Sequence, residues 1–144
     1  MLRVIPGLSH LKLLDPTVSQ PPPRSVSAPC PDKSQKALTQ VALEVAYGIR
    51  PPAMLHRNRF DPQVRIHIAA FHKTSTLRGP VHLLRVEAHA APLPHATDEL
   101  AVQILAATDL IGTCRVAKTT QAFAARLELP EGKRQWVMRS LRLT

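Results

Sequence analysis

The stretch VRIHIAAFHKTSTLRGPVHLLRVEAHA, residues 64–90, decides the fold expected for this 144-residue chain. Apolar and polar residues alternate from Val64 to Ile68, with Ala70 continuing the apolar series, and they alternate again from Leu84 to Ala90. A period of two is typical of a strand that buries one face. The sequence therefore predicts an antiparallel hairpin with one buried side. The residues expected on that side are Ile66, Ile68, Leu84 and Val86.

Two details of this hairpin also follow from the sequence. Val81 and Leu83 have the opposite parity to Leu84, so a β-bulge near Leu83 is needed to keep both sets inside. The connection between the strands, residues 72–80, contains two bases and Gly79, and it predicts a basic loop at one end.

The residues before the hairpin predict a helix. Apolar residues recur at spacings of three and four from Leu38 to Ile49, which is the pattern of one helix face. Asp32 can accept the free amides of the first turn while Gln35 reaches back to it, and Gly48 provides a place for the helix to end.

The residues after the hairpin predict two more helices and an ambiguous tail. Thr97 is a plausible cap for a helix that ends at Gly112, and a third helix is expected over residues 118–129, followed by a turn at residues 130–132. The tail, residues 133–144, fits a short helix and an edge strand equally well.

Proline shapes the N-terminal region. Six prolines fall between residues 15 and 31, and proline removes backbone donors and favours extended backbone. We therefore expect a disordered, proline-rich N-terminal arm over residues 1–31 and one small α+β domain over residues 32–144, in which two or three helices pack on the antiparallel hairpin.

The charge of the chain points to a polyanion partner. The formal net charge is +9, and bases concentrate in residues 50–85 and 115–144. Arginine suits phosphate through paired hydrogen bonds, whereas an aromatic share of 3% gives few rings for stacking on bases. The sequence predicts a small basic accessory protein that binds the phosphate backbone of RNA or DNA without sequence specificity. The predicted contacts are Arg57, Arg59, Arg65, Lys73, Arg78, Arg85, Lys133, Arg134, Arg139 and Arg142.

Nothing in the sequence identifies a reaction, so an enzyme is disfavoured. The chain has no glycine-flanked serine elbow and no glycine-rich phosphate loop, and it predicts no catalytic residue, cofactor or metal site. One metal geometry can be built, with His67 across the hairpin from His89 or Glu87. Cys30 and Cys114 are expected as free thiols. No apolar run is long enough for a membrane span, which favours a soluble intracellular protein.

Two other interpretations remain open. The chain could be a protein–protein interaction or structural module whose proline-rich arm, or exposed hairpin edge, docks on another protein. Alternatively, the 14 prolines and five glycines could mark a chain with no evolved function and no cooperative fold.

Overall fold

A computed structural model of the chain describes residues 2–5, 8–14, 30–93 and 102–144. Its two α-helices and six strands, in chain order, are β1 (Leu2–Ile5), β2 (Leu8–Leu14), α1 (Lys33–Ala46), α2 (Pro62–Thr74), β3 (Val81–Ala90), β4 (Ile104–Val116), β5 (Thr119–Pro130) and β6 (Val137–Leu143). A single 3₁₀ turn, Pro52–Met54, lies between the helices. The fold is α+β, as expected.

The four C-terminal strands form one antiparallel sheet in the order β3-β4-β5-β6, so each strand pairs with its neighbour in sequence. One row across this sheet consists of Ala88, Leu110, Ala125 and Leu141, all of them buried. Both helices contribute to the same core, through Leu43 of α1 and Ile68 of α2 among others. The helices therefore cover one face of the sheet, and the alternate side chains point away from them.

Helix α1 confirms the prediction made from its capping residues. The Asp32 carboxylate accepts from the backbone N–H of Gln35 at 2.8 Å, and the Gln35 side chain accepts from the N–H of Asp32 at 3.1 Å. Burial raises the pKa of Asp32, but the hydrogen bonds from Gln35, Ser34 and Trp136 outweigh it and hold the pKa below its usual value. Past the end of the helix, Gly48 has the left-handed φ of +82° that glycine adopts without strain.

The predicted strand over residues 64–70 is wrong, because these residues belong to helix α2. Asp61 caps the helix through the N–H of Gln63, and Pro62 occupies the first turn, where a missing N–H costs nothing. Val64 and Ile68 are four apart, so they share the buried helix face. Ile66 lies on the opposite side and is 64% exposed.

The predicted helix ending at Gly112 and the predicted helix over residues 118–129 are also wrong. Instead, residues 104–116 form β4 and residues 119–130 form β5, and the two strands pair along their full length. Local patterns missed them because strand pairing depends on partners far away in sequence. The predicted cap Thr97 lies outside the described residues.

Strand β3 confirms the second half of the predicted hairpin, but its partner is β4 rather than residues 64–70. The register shifts between Leu83 and Arg85, which confirms the predicted bulge. The bulge turns Leu84 outward, where it is 48% exposed, and so Leu84 is not in the core as expected. The tail adopts the second of its two predicted forms, the edge strand β6, after a turn that includes Gly132.

The expected N-terminal arm contains two strands that were not predicted from the sequence. β1 and β2 pair as an antiparallel two-stranded sheet, with Leu2 opposite Leu14. The proline-rich residues 15–29 lie outside the described residues.

Candidate interaction surfaces: a basic edge and an open sheet face

The residues just before α2 and the start of α2 lie along the free edge of β6. A parallel bridge joins Phe60 to Met138, with hydrogen bonds from the Met138 N–H to the Arg59 carbonyl at 2.8 Å and from the Asp61 N–H to the Met138 carbonyl at 3.0 Å. The Arg59 Nε donates to the Trp136 carbonyl at 3.0 Å. These contacts hold the segment before α2 against the segment that enters β6.

This contact brings together two basic segments that lie more than seventy residues apart in sequence. We call Arg57, Arg59, Lys133 and Arg134 the basic edge. Arg57, Lys133 and Arg134 are exposed, and Arg59 is half-buried. Within the described residues, none of the four forms an ion pair.

Arg139 lies next to the basic edge, but two carboxylates engage it. Its Nε donates to Glu128 at 2.8 Å, and its Nη1 donates to Asp61 at 3.2 Å. Glu128 is only 9% exposed, so its charge needs this partner. The pairing continues along β5, where the Arg126 Nε lies 3.9 Å from Glu128 and 4.0 Å from Asp109. Arg139 thus joins β6 to the cap of α2 rather than standing free.

The other predicted contacts do not join the basic edge. Arg78 donates to the carbonyls of His72 and Ala46, and Arg85 pairs with Glu87 on β3. The remaining three lie outside the basic edge, Arg65 and Lys73 on α2 and Arg142 on β6. The structure therefore divides the ten predicted residues into one cluster of four and six that are separate or already engaged.

The face of the sheet away from the helices is a second surface. We call it the open face, and its central side chains are Arg85, Glu87, His89, Asp109, Ile111, Thr113, Ala122, Ala124, Arg126, Ser140 and Arg142. Ile111 stands near its middle and is 54% exposed. A depression of about 340 Å³ lies over the small side chains of Ala124 and Ser140, beside Arg126 and Arg142.

The open face was not predicted, because the residues of β4 and β5 were expected in helices. A signal for it was present in the alternation of Asp109, Ile111 and Thr113 with the buried Leu110 and Gly112. Arg126, absent from the predicted contacts, lies on this face and also donates to the Pro92 carbonyl at 2.5 Å.

The environment of the buried cysteine, Cys114, does not favour a nucleophilic thiolate. Cys114 is fully buried in the core, and burial raises the pKa of its thiol. Burial, with a smaller effect from Cys114, raises the pKa of Tyr47 to about 12. The Tyr47 hydroxyl has no hydrogen-bond partner in the described part of the chain, and its ring packs edge-on against Phe71. These residues serve packing.

The metal geometry considered from the sequence does not form. His67 lies on α2, whereas His89 and Glu87 lie on the open face on the other side of the sheet. Across the described ranges, no three His, Cys, Asp or Glu side chains are grouped closely enough to hold a metal ion.

Among the residues that the structure describes, no helix has both the length and the apolar content required to span a membrane. No family model, curated protein or solved structure matches the chain. A function of this chain can therefore be inferred only from the two surfaces themselves.

Proposed function

We propose that this chain binds the phosphate backbone of RNA or DNA through its basic edge. The observation that carries the proposal is the bridge between Phe60 and Met138, because it places Arg57 and Arg59 beside the segment that holds Lys133 and Arg134. Three arginines and a lysine without acidic partners in the described residues can each contact a phosphate.

The same surroundings favour binding without sequence specificity. The one aromatic side chain of the β6-entry segment, Trp136, is half-buried, and its Nε1 donates to Asp32 at 3.3 Å. A ring held in this way offers no open platform for stacking on an unpaired base. Glu131 lies two residues before Lys133, and Asp32 accepts the Trp136 hydrogen bond, so both acids lower the local positive potential. Contacts to phosphate, rather than to base edges, are therefore expected to supply the affinity.

The number of charges sets the expected salt dependence. Neutralising about four phosphates gives a slope of log K against log salt of roughly −3.6 for a duplex. Raising monovalent salt from about 50 to 200 mM should then weaken binding on the order of 100-fold. A slope near zero would mean that the binding is not electrostatic.

The test is a titration of labelled, mixed-sequence duplex followed by fluorescence anisotropy at several salt concentrations. The double variant Arg57→Gln/Arg134→Gln should weaken binding and reduce the slope by about 2. The control is Lys73→Gln/Lys118→Gln, which removes the same charge from the end of α2 and from the turn before β5. Equal losses of affinity in the two double variants would mean that only the net charge matters. That result would overturn the proposal that the basic edge is the binding site.

We propose that residues 32–144 form one domain, since the capping box at Asp32 opens the first helix of the core. Limited proteolysis tests the boundary: cleavage before residue 32 should leave a fragment with unchanged cooperative unfolding, and loss of that transition would contradict it.

A further inference from the structure

We infer that the open face is where two copies of this chain pack against each other. The inference is separate from phosphate binding, because the open face and the basic edge share no residue. It starts from the row that crosses the middle of the sheet, in which Glu87, Ile111, Ala124 and Arg142 are successive register partners on β3, β4, β5 and β6.

Read from β3 to β6, this row is complementary in charge and size to the same row read from β6 to β3. A two-fold axis parallel to the strands and midway between β4 and β5 superposes β3 of one copy on β6 of the other, and β4 on β5. Glu87 then faces Arg142 of the second copy, at both ends of the row. In the centre, Ile111 faces Ala124, twice.

The shapes at the centre agree with this pairing. Ile111 is a large apolar side chain that stands 54% exposed, and Ala124 is small and lies at the floor of the 340 Å³ depression. Packing the Ile111 side chain of each copy into the depression of the other removes apolar surface from water on both sides. Face-to-face packing of sheets with nearly aligned strands is a common arrangement in proteins.

The neighbouring row adds a second set of complementary charges. His89, Asp109, Arg126 and Ser140 are successive register partners, and the same axis places Asp109 over Arg126 of the second copy. Asp109 and Arg126 are also 4.0 Å apart within one chain, so acid and base alternate both along and across the interface. Like charges do not meet in either row.

The size of the face sets the expected strength. Four strands about 4.8 Å apart and about seven residues that each rise about 3.3 Å give a flat area of roughly 450 Å² per copy. The total of roughly 900 Å² is below the about 1,200 Å² at which standard stable interfaces begin, so we expect a weak dimer with a dissociation constant in the micromolar range.

Sedimentation equilibrium of the full chain over about 1 to 300 μM covers this range. The wild type should pass from monomer to dimer. Glu87→Arg places two arginines together at each end of the row, and Arg142→Glu places two glutamates there, so each single variant should associate at least about tenfold more weakly. Lys33→Glu, a charge reversal on the helix side, should leave association unchanged.

Mixing the two single variants gives the decisive result. In the mixed pair, Arg at position 87 of one copy faces Glu at position 142 of the other, and the opposite end keeps its native pair. The equimolar mixture should therefore recover association close to the wild type, although each variant alone does not. A wild type that stays monomeric throughout, singles that associate like the wild type, or a mixture no stronger than its components would each overturn the inference.

Discussion

Gly112 gives the sharpest test of how the sheet packs. It lies in the middle of β4, opposite Val86 on β3 and Phe123 on β5. A Cβ atom at this position would point toward the helices. A methyl group at this position would fall well inside contact distance of the Arg85 carbonyl oxygen and 2.8 Å from Cζ of Phe123. The carbonyl belongs to the bulge in β3 and the ring is buried, so neither can move aside freely.

Gly112→Ala should therefore destabilise the chain by about 1–2 kcal/mol. Overpacking of this kind costs about 1–3 kcal/mol, and the lower entropy of the unfolded alanine variant offsets about 0.5–1 kcal/mol of it. Urea unfolding followed by fluorescence of Trp136, the single tryptophan, measures the change. The control is Gly132→Asn, because Gly132 has a φ of +74° with nothing within 4 Å, and asparagine tolerates that conformation. A Gly112→Ala variant as stable as the wild type would refute the packing of Phe123 and the β3 bulge around β4.

Four further substitutions test the helices and the buried acid, each by urea unfolding. Ile68→Ala should lower the free energy of unfolding by about 2–5 kcal/mol, because Ile68 is in the core. Ile66→Lys should lower it by less than about 0.5 kcal/mol, because Ile66 is exposed. Equal losses in the two variants would favour a strand, rather than helix α2, at these residues. Arg139→Met should lower the free energy of unfolding by about 1–3 kcal/mol, since it leaves the buried carboxylate of Glu128 without its 2.8 Å hydrogen bond. A neutral result would mean that Glu128 is solvated. Asp32→Ala should cost about 1 kcal/mol at neutral pH through the lost cap. The pKa of Asp32 is lowered on folding, so this stability is present above the unfolded pKa and is lost as pH falls through the folded value; a deficit that persists undiminished at pH ~2 would contradict the assignment.

The helices show what the sequence could and could not predict. α1 was predictable because its signals are local: a capping residue, a Gln three positions later and an apolar stripe. α2 carried a local start signal too, Asp61 followed by Pro62, but the alternation from Val64 to Ile68 outweighed it in the prediction. Residues spaced by two also include pairs spaced by four, so a short run fits both periods.

The strands and the basic edge depended on contacts distant in sequence. β4 and β5 are specified by pairing with β3 and β6, and an apolar run such as Ile104–Ala107 has no local feature that separates a buried strand from a helix. Similarly, each half of the basic edge was visible as a charged segment. Their proximity rests on the bridge between Phe60 and Met138, which no local pattern predicts.

The two proposed surfaces have a joint geometric consequence. An axis parallel to the strands keeps the same end of each sheet together, so the basic edges of two copies, both at the start of β6, would lie at one end of the dimer on opposite flanks. A duplex long enough to reach both edges would contact about eight phosphates instead of four, and the salt slope should steepen from roughly −3.6 toward −7 as protein concentration passes the dimer range. Arg142→Glu should abolish that steepening while leaving the slope at low protein concentration near −3.6, because Arg142 belongs to the open face and not to the basic edge. If Arg142→Glu lowers the slope equally at all protein concentrations, Arg142 itself contacts phosphate and the two surfaces act as one.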